Sequence, residues 1–178
     1  MREIASTTTT NSRAGRGGWT HEAPSATIDW YTPDCIFQAL DVTFDLDPCS
    51  PGSSRSNVPA AAVYTLADDG LSSPWRGLCW VNPPYDDTRT WLQRLADHGE
   101  GIALVFARTD TKWFHEAAKT ADLVCFTSGR IKFIDGRTMQ PGGSPGAGSV
   151  FLAWGATAAA TLRASGLGLC FQLDSIPA

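Results

Sequence analysis

The sequence predicts an α/β fold: a mostly parallel, doubly wound sheet with an antiparallel hairpin at one edge. Apolar runs alternate with segments of helical periodicity through the middle of the chain. The run over 101–107 is almost continuously apolar, as expected for a parallel strand covered on both faces. The later runs over 131–134 and 150–154 flank a Gly- and Pro-rich loop over 140–148, which indicates the hairpin.

A polar arm precedes the folded part of the chain. Residues 1–28 are rich in Thr, Ser, Gly and Arg and lack apolar periodicity, which predicts a flexible N-terminal arm. Residues 29–178 suit a single domain that can bury a core. Within it, Thr32-Pro33 places a capping residue before a Pro of the first helical turn, so a helix is expected there. A short strand over 42–47 follows.

The remaining elements follow from residue clustering and periodicity. Loops are expected where Ser, Pro and Gly cluster, and helices where apolar residues recur at helical spacing. The predicted elements are a loop over 50–59, a short strand over 63–66, a turn at 68–70, a strand over 78–81, a helix over 90–98, the strand over 101–107, a helix over about 111–119, a strand over 123–126 and the two late strands. This order is the one a doubly wound sheet requires.

Composition and charge narrow the class of protein. The formal net charge is −4 and 43% of the residues are hydrophobic, as in an ordinary globular domain. We expect no membrane span and no signal peptide, and the five cysteines form no C-x-x-C pair, so no metal site is expected. The expected compartment is a reducing cytoplasm. The net charge alone favours a small-molecule or protein partner, but the basic residues in the second half of the chain leave DNA as a candidate partner.

The most informative stretch is Asn82-Pro83-Pro84-Tyr85, directly after the apolar run over 78–81. The prolines fix φ and remove two N–H donors, so carbonyl acceptors surround the Asn82 side chain. Tyr85 adds a flat aromatic surface. This combination suits a planar heterocycle that carries an exocyclic amino group. The alternative interpretation is that these residues form an ordinary Pro-rich turn at the end of a strand and bind no ligand.

Two acidic segments are candidates for the same edge of the sheet, because open α/β sheets bind ligands at the carboxyl ends of their strands. Asp47 begins a loop of small residues over 47–52, where a carboxylate can pair with an ammonium group or a ribose. The second is Asp68-Asp69-Gly70-Leu71, where one of the two carboxylates can accept a hydrogen bond from an adenine amino group. Asp47 would serve equally well to cap a turn, and an isolated Asp-Asp-Gly is more often a turn.

Several segments occur in one order at compact spacing over about residues 30–155. They are Trp30-Tyr31-Thr32-Pro33, the run over 44–49, Asn57, Tyr64, Asp69-Gly70-Leu71, Trp75, the run over 80–85, the run over 108–115 and the run over 129–133. The ordered set resembles the phage-type DNA N6-adenine methyltransferase family, small Dam-like proteins encoded by phages and prophages. The resemblance implies a Rossmann-like class I methyltransferase sheet, so that 29–178 would be a methyltransferase-like catalytic domain.

The resemblance also implies roles for individual residues. Thr32 and Pro33 would help to hold the methionine end of S-adenosylmethionine, while Asp47, Pro48 and Cys49 match the start of the first cofactor motif. Asp69 matches the acid that binds the cofactor's adenine. The catalytic motif would be Asn82, Pro83, Pro84 and Tyr85, and the candidates for phosphate contacts in double-stranded DNA are Arg108, Lys112, Arg130 and Lys132. The first cofactor loop departs from the broad methyltransferase pattern, because Pro51 and Ser53 flank its one glycine, Gly52.

The implied reaction moves a methyl group from S-adenosylmethionine to the N6 amino group of an adenine flipped out of the duplex. Asn82 and the Pro83 carbonyl would bind that amino group while Tyr85 stacks on the base. The alternatives are methylation of cytosine N4, of RNA adenine or of a protein glutamine, and a non-catalytic nucleic-acid-binding remnant of the fold. The expected place of action is the cytoplasm of a bacterial host, with a phage or prophage origin.

Overall fold

The computed structural model describes residues 30–52, 56–143 and 145–172. The arm predicted over 1–28 lies outside the described residues. The strands and helices, in chain order, are β1 (Trp30–Tyr31), α1 (Asp34–Leu40), β2 (Cys79–Val81), α2 (Thr88–His98), β3 (Gly101–Phe106), α3 (Lys112–Thr120), β4 (Leu123–Thr127), β5 (Ile134–Asp135), β6 (Gln140–Pro141), β7 (Ser149–Trp154), α4 (Ala156–Ala164) and β8 (Gly168–Phe171). A 3-10 helix spans Leu66–Asp68. The fold is therefore mixed α/β, as predicted.

The central sheet has five strands in the order β2-β3-β7-β4-β8. β2 and β3 are parallel, whereas β7 is antiparallel to both β3 and β4, and β8 is antiparallel to β4. The prediction of a mostly parallel sheet with an antiparallel edge hairpin holds only in part, because the sheet is mixed. The hairpin predicted from 131–134 and 150–154 was wrong: β7 pairs with β3 and β4 in the interior of the sheet, and β5 pairs with β1 and β6. All six residues of β7 are buried, so this strand is covered on both faces and pairs along both edges in the interior of the sheet.

The chain over 44–47 runs beside β2 and extends the parallel part of the sheet. Single parallel bridges join Leu46 to Cys79, Phe44 to Ala60 and Asp47 to Val63. The strands predicted over 42–47 and 63–66 are thus reduced to isolated bridges, and the 3-10 helix begins at Leu66. The bridges still bring Asp47 to the same edge of the sheet as the end of β2.

Helices cover both faces of the sheet. One face packs against α1 and α4, and its core includes Trp80, Phe44 and Phe151. The other face packs against α2 and α3. Trp80 is 1% exposed, and its ring centroid lies 4.9 Å from that of Phe37. This packing fixes the end of β2, from which the Asn82–Tyr85 segment emerges.

A second, three-stranded antiparallel sheet has the order β1-β5-β6. Trp30 pairs with Asp135 and Tyr31 with Ile134, so the start of the described chain lies beside the segment that follows β4. The strand predicted over 131–134 was wrong in extent: Ile131 and Phe133 are buried in the core, but pairing begins at Ile134. Neither α4 nor β8 was predicted from the sequence.

Candidate active site

Asn82 leaves the end of β2 with its side chain turned toward the N-terminal segment. Its Nδ2 donates to the Trp30 carbonyl at 3.4 Å and to Thr32 Oγ1 at 3.5 Å. Within the described residues no donor reaches its Oδ1. Because the amide nitrogen is held by these two acceptors, the amide oxygen is left available for a ligand.

The two prolines after Asn82 leave one main-chain carbonyl open. The Asn82 carbonyl accepts from Cys49 Sγ at 3.5 Å, and the Pro84 carbonyl accepts from Thr88 Oγ1 at 3.3 Å. The carbonyl of Pro83 has no donor in the part of the chain that the structure describes. Asn82 Oδ1 and the Pro83 carbonyl are therefore two open acceptors on adjacent residues.

Tyr85 stacks on Phe106, the last residue of β3. The ring centroids lie 4.6 Å apart and the planes differ by 19°. Phe133 meets Phe106 edge-on at 6.3 Å and supports it. Tyr85 remains 47% exposed, and desolvation raises the pKa of its hydroxyl to about 12, so it stays neutral. Sequence reasoning missed Phe106, although its place at the end of a predicted strand was a usable signal.

Asp47 is a buried carboxyl beside the same edge. It is 2% exposed, and burial raises its pKa to about 7. Hydrogen bonds from the Cys49 main chain and the Ser50 side chain lower this pKa, but by less than burial raises it. The Cys49 amide lies 3.3 Å from Asp47 Oδ1. A carboxyl with this pKa changes charge near neutrality and would gain from a cationic partner.

Asp69 lies next to this loop but faces solvent. Its Oδ2 accepts from Ser72 Oγ at 2.7 Å, and its backbone is left-handed with φ 48°. The following Gly70 packs so tightly that a Cβ there would collide with the Pro48 carbonyl. The two predicted cofactor segments therefore touch, with Asp47 buried and Asp69 exposed.

Thr32 joins the N-terminal segment to the site. It is 2% exposed, and its carbonyl accepts from Asn57 Nδ2 at 2.7 Å. Asn57 Nδ2 also donates to Asp34 Oδ1 at 2.6 Å, while Pro33 precedes the first turn of α1. Asn57 was not among the predicted site residues, although it occurs in the segments that carry the resemblance.

The four basic candidates follow β3 and β4, whose carboxyl ends share an edge with that of β2. Arg108 lies on the loop after β3, Lys112 is the first residue of α3, and Arg130 and Lys132 lie on the loop after β4. Arg108 is exposed, and Lys112 pairs with Glu116 at 3.7 Å. Arg130 donates to the Pro145 carbonyl, and Lys132 is exposed. Arg130 and Lys132 line a groove of about 400 Å³ with an apolar lining that includes Ile36 and Ile131. The candidates thus form two pairs, Arg108 with Lys112 after β3 and Arg130 with Lys132 after β4.

Comparisons with known proteins identify the family to which the chain belongs. Residues 20–164, more than half of the chain, match the family model described as DNA N-6-adenine-methyltransferase (Dam). The chain belongs to this family. It is also similar to "Putative methyltransferase YfdM" of Escherichia coli (strain K12), with 31% identity over 72 residues that cover 36% of this chain and 79% of the relative. No solved structure matches the chain at a comparable significance.

In this Dam-family chain the structure brings most of the predicted residues to one edge. Contacts connect Thr32 to Asn82 and Asn82 to Cys49, and the Asp69–Gly70 turn packs on Pro48. Among the described residues no hydrogen bond or ion pair joins the basic pairs to this cluster, but Pro33 lines the same groove as Arg130 and Lys132. Within the same residues no cluster of side chains could hold a metal ion. No helix of the described part is long and apolar enough to cross a membrane.

Proposed function

We propose that this Dam-family protein transfers a methyl group from S-adenosylmethionine to the N6 amino group of an adenine flipped out of double-stranded DNA. The observation that carries the proposal is the pair of open acceptors, Asn82 Oδ1 and the Pro83 carbonyl, beside the exposed ring of Tyr85. An exocyclic amino group has two N–H donors in one plane, and two adjacent acceptors match it.

The proposed chemistry rests on positioning and electrostatics. The N6 lone pair of adenine is conjugated into the ring and is a poor nucleophile. Hydrogen bonds from the amino group to Asn82 Oδ1 and to the Pro83 carbonyl favour a tetrahedral nitrogen with an available lone pair. Because neither acceptor is basic, the proton released from the amino group leaves to water.

Tyr85 is proposed to hold the flipped base by stacking. Its ring is already fixed on one side by Phe106, so the opposite face is free for a second aromatic surface. Because the hydroxyl is neutral, it adds no negative charge that would repel the DNA phosphates. The rigid Pro83-Pro84 step and the Thr88 hydroxyl, which donates to the Tyr85 carbonyl at 3.3 Å, reduce the entropy lost on binding.

The loops around Asp47 and Asp69 fit S-adenosylmethionine. When bound, this cofactor supplies a methyl group on a sulfonium. The buried Asp47 carboxyl lacks a cationic partner among the described residues, which suits an ammonium group, and Pro48 and Cys49 would line the same site. Asp69 would accept from the adenine amino group, and Thr32 with Pro33 would border the methionine end.

Phosphates of double-stranded DNA are the proposed partners of Arg108, Lys112, Arg130 and Lys132. The parallel bridges at 44–47 and 60–63 add to β2 and β3 and support a Rossmann-like class I methyltransferase sheet. We further propose that residues 29–178 form one catalytic domain. It would act in the cytoplasm of a bacterial host, from a phage or prophage gene.

The decisive experiment is expression in a host that lacks adenine methylation, followed by base-resolved detection of modified DNA. We expect N6-methyladenine in a defined sequence context. The Asn82→Ala variant should lower the methylation rate about 100- to 1000-fold, the effect of removing one transition-state hydrogen bond. Titration calorimetry should show that this variant still binds S-adenosylmethionine.

The exposed Gln93→Ala variant, which also removes an amide side chain but lies on α2, is the matched control and should methylate normally. Modified cytosine instead of adenine would replace the proposed substrate. A wild-type chain that binds no S-adenosylmethionine would contradict the proposed activity as a whole.

A further inference from the structure

Two cysteines face each other across the last two strands of the central sheet. Cys125 of β4 is directly opposite Cys170 of β8 in the antiparallel register. Cys125 is fully buried in the core that α1 and α4 cover, and Cys170 is half-buried and packs against the same core. Both side chains therefore point to one face of the sheet.

Which cross-strand pairs of this ladder are hydrogen-bonded determines the Cα separation of the two cysteines. The Ser128 amide donates to the Leu167 carbonyl at 3.0 Å, and these residues continue the same register. Because hydrogen-bonded and non-hydrogen-bonded pairs alternate in an antiparallel ladder, Cys125 and Cys170, three positions further along, form a non-hydrogen-bonded pair. In such pairs the Cα atoms are about 4.5 Å apart and the side chains approach most closely.

We propose that Cys125 and Cys170 are a redox-sensitive pair that forms a cross-strand disulfide when the protein meets a small-molecule disulfide such as oxidised glutathione. The Cα separation of the pair falls at the lower end of the range of about 4.4 to 6.8 Å found in disulfides. β8 is the edge strand of the central sheet, so within this sheet it pairs only with β4. A small shift of Cys170 therefore moves no other strand of the sheet.

The reaction is thiol–disulfide exchange in two steps. The more accessible Cys170 thiolate attacks one sulfur of the small disulfide, forms a mixed disulfide and releases one thiolate. The Cys125 thiolate then attacks the Cys170 sulfur, forms the protein disulfide and releases the second thiolate. The two protein thiols lose two electrons, the small disulfide gains them, and the protons of Cys125 and Cys170 end on the two released thiols.

The second step is the slow one. Burial, with the hydrogen bond and the charge of Cys170, raises the pKa of the Cys125 thiol to about 12. Little Cys125 thiolate is therefore present at neutral pH, and closure of the disulfide should accelerate as the pH rises. The mixed disulfide on Cys170 should accumulate before the bond to Cys125 closes.

The disulfide would act on the groove that carries Arg130 and Lys132. Thr127 and Ser128 follow Cys125 closely, Leu167 precedes β8, and all three line this groove. A bond between β4 and β8 would hold that wall of the groove together. β4 lies three strands from β2, so the pair is remote from Asn82 and its oxidation does not depend on the proposed methyl transfer.

The test treats the folded full-length protein with graded ratios of reduced and oxidised glutathione under native conditions. Free thiols are then alkylated in denaturant, so that the buried Cys125 is also reached, and the protein is digested without reduction for mass spectrometry. We expect a peptide linked through Cys125 and Cys170 that dithiothreitol removes. The oxidised protein should unfold at a higher temperature, and amide exchange in 167–172 should slow.

Three variants separate the proposal from non-specific oxidation. Cys125→Ala should stop at a glutathione adduct on Cys170, whereas in Cys170→Ser the buried Cys125 should stay reduced. The control Cys35→Ser removes an exposed cysteine and should leave the linked peptide unchanged. A wild-type protein whose Cys125 is fully alkylated in denaturant after every ratio, or one linked only between chains through Cys35, would overturn the proposal.

Discussion

The thiol of Cys49 donates a hydrogen bond to the main-chain carbonyl of Asn82 at 3.5 Å. Burial first, and then the adjacent Asp47, raise the pKa of Cys49 well above its ordinary value, so the sulfur keeps its proton and remains a donor. The loop proposed to bind the cofactor is thereby tied directly to the motif proposed to bind the base. The same contact removes the Asn82 carbonyl from the acceptors that face the ligand.

This contact predicts a positioning role for Cys49. Cys49→Ala removes the donor, and we expect the turnover number to fall severalfold, because the Asn82 backbone loses one of its restraints. Cys49→Ser keeps a donor and should retain more activity. The measurement is single-turnover methylation at saturating cofactor and DNA. Equal losses in both variants would mean that the thiol acts only through packing.

The raised pKa of Asp47 predicts that cofactor binding depends on pH. At pH 6 most Asp47 is neutral, and at pH 8 most is charged, since its pKa is about 7. If the carboxylate pairs with the ammonium group of S-adenosylmethionine, affinity should rise about tenfold between these pH values. Calorimetry at both pH values measures this, and Asp47→Asn should bind weakly with little pH dependence.

The same group predicts the opposite trend in the stability of the unliganded protein. A folded-state pKa above the unfolded one means that the folded state binds the proton more tightly. This stabilisation is fully present below the unfolded pKa of about 3.9 and is lost as the pH rises through about 7. Asp47→Asn should therefore raise the melting temperature at pH 8 more than at pH 5. An equal change at both pH values would contradict the assignment.

The two basic pairs should differ in their contribution to DNA affinity. Arg130 and Lys132 have no carboxylate partner among the described residues, whereas Lys112 already pairs with Glu116, which Arg89 also contacts at 2.9 Å. Removing a side chain that neutralises one phosphate makes the slope of log K against log salt shallower by about 0.9. We expect that change in Arg130→Ala and a smaller one in Lys112→Ala.

Fluorescence anisotropy over a range of salt concentrations measures these slopes. Glu116→Gln should strengthen DNA binding, because it removes a negative charge and frees Lys112. The control is Arg163→Ala, an exposed arginine on α4 outside the proposed interface, and its slope should equal that of the wild type. Unchanged slopes in all the variants would remove these residues from the DNA interface.

The position of Asn82 could be predicted because it depends on local signals. An apolar run followed by Pro83-Pro84 must end a strand, and the carboxyl end of a strand is where open sheets bind ligands. The insertion of β7 between β3 and β4 could not be predicted in the same way, since strand order depends on pairing between distant segments. The hydrogen bond from Asn57 to Thr32 spans 25 positions and has no local signature.

The Ala-rich segment over 156–164 illustrates the same limit. It was not predicted as a helix because it lacks a strong apolar stripe, and α4 buries only Ala158 and Leu162. What holds it is capping from elsewhere in the chain: Glu100 Oε1 accepts from the Ala158 amide at 2.9 Å across 58 positions. Local periodicity could not reveal that partner.

Gly70 offers a test of the contact between the two proposed cofactor segments. An added Cβ at this position would collide with the Pro48 carbonyl and press on the ring of Trp91. Gly70→Ala should therefore displace Asp69 or Pro48 and weaken S-adenosylmethionine binding about tenfold or more, with a loss of stability of about 1–3 kcal/mol for overpacking. Calorimetry and thermal unfolding give the two quantities.

The matched control is Gly146→Ala, because a Cβ at Gly146 meets nothing within 4 Å and its backbone needs no positive φ. This variant should bind the cofactor as the wild type does. A Gly70→Ala protein that is destabilised but, once folded, binds S-adenosylmethionine normally would show that the contact serves the fold alone. Weakened binding in folded Gly70→Ala protein would instead place the contact between the Asp69 turn and the Pro48 loop at the cofactor site, because an added Cβ at Gly70 presses on the Pro48 carbonyl.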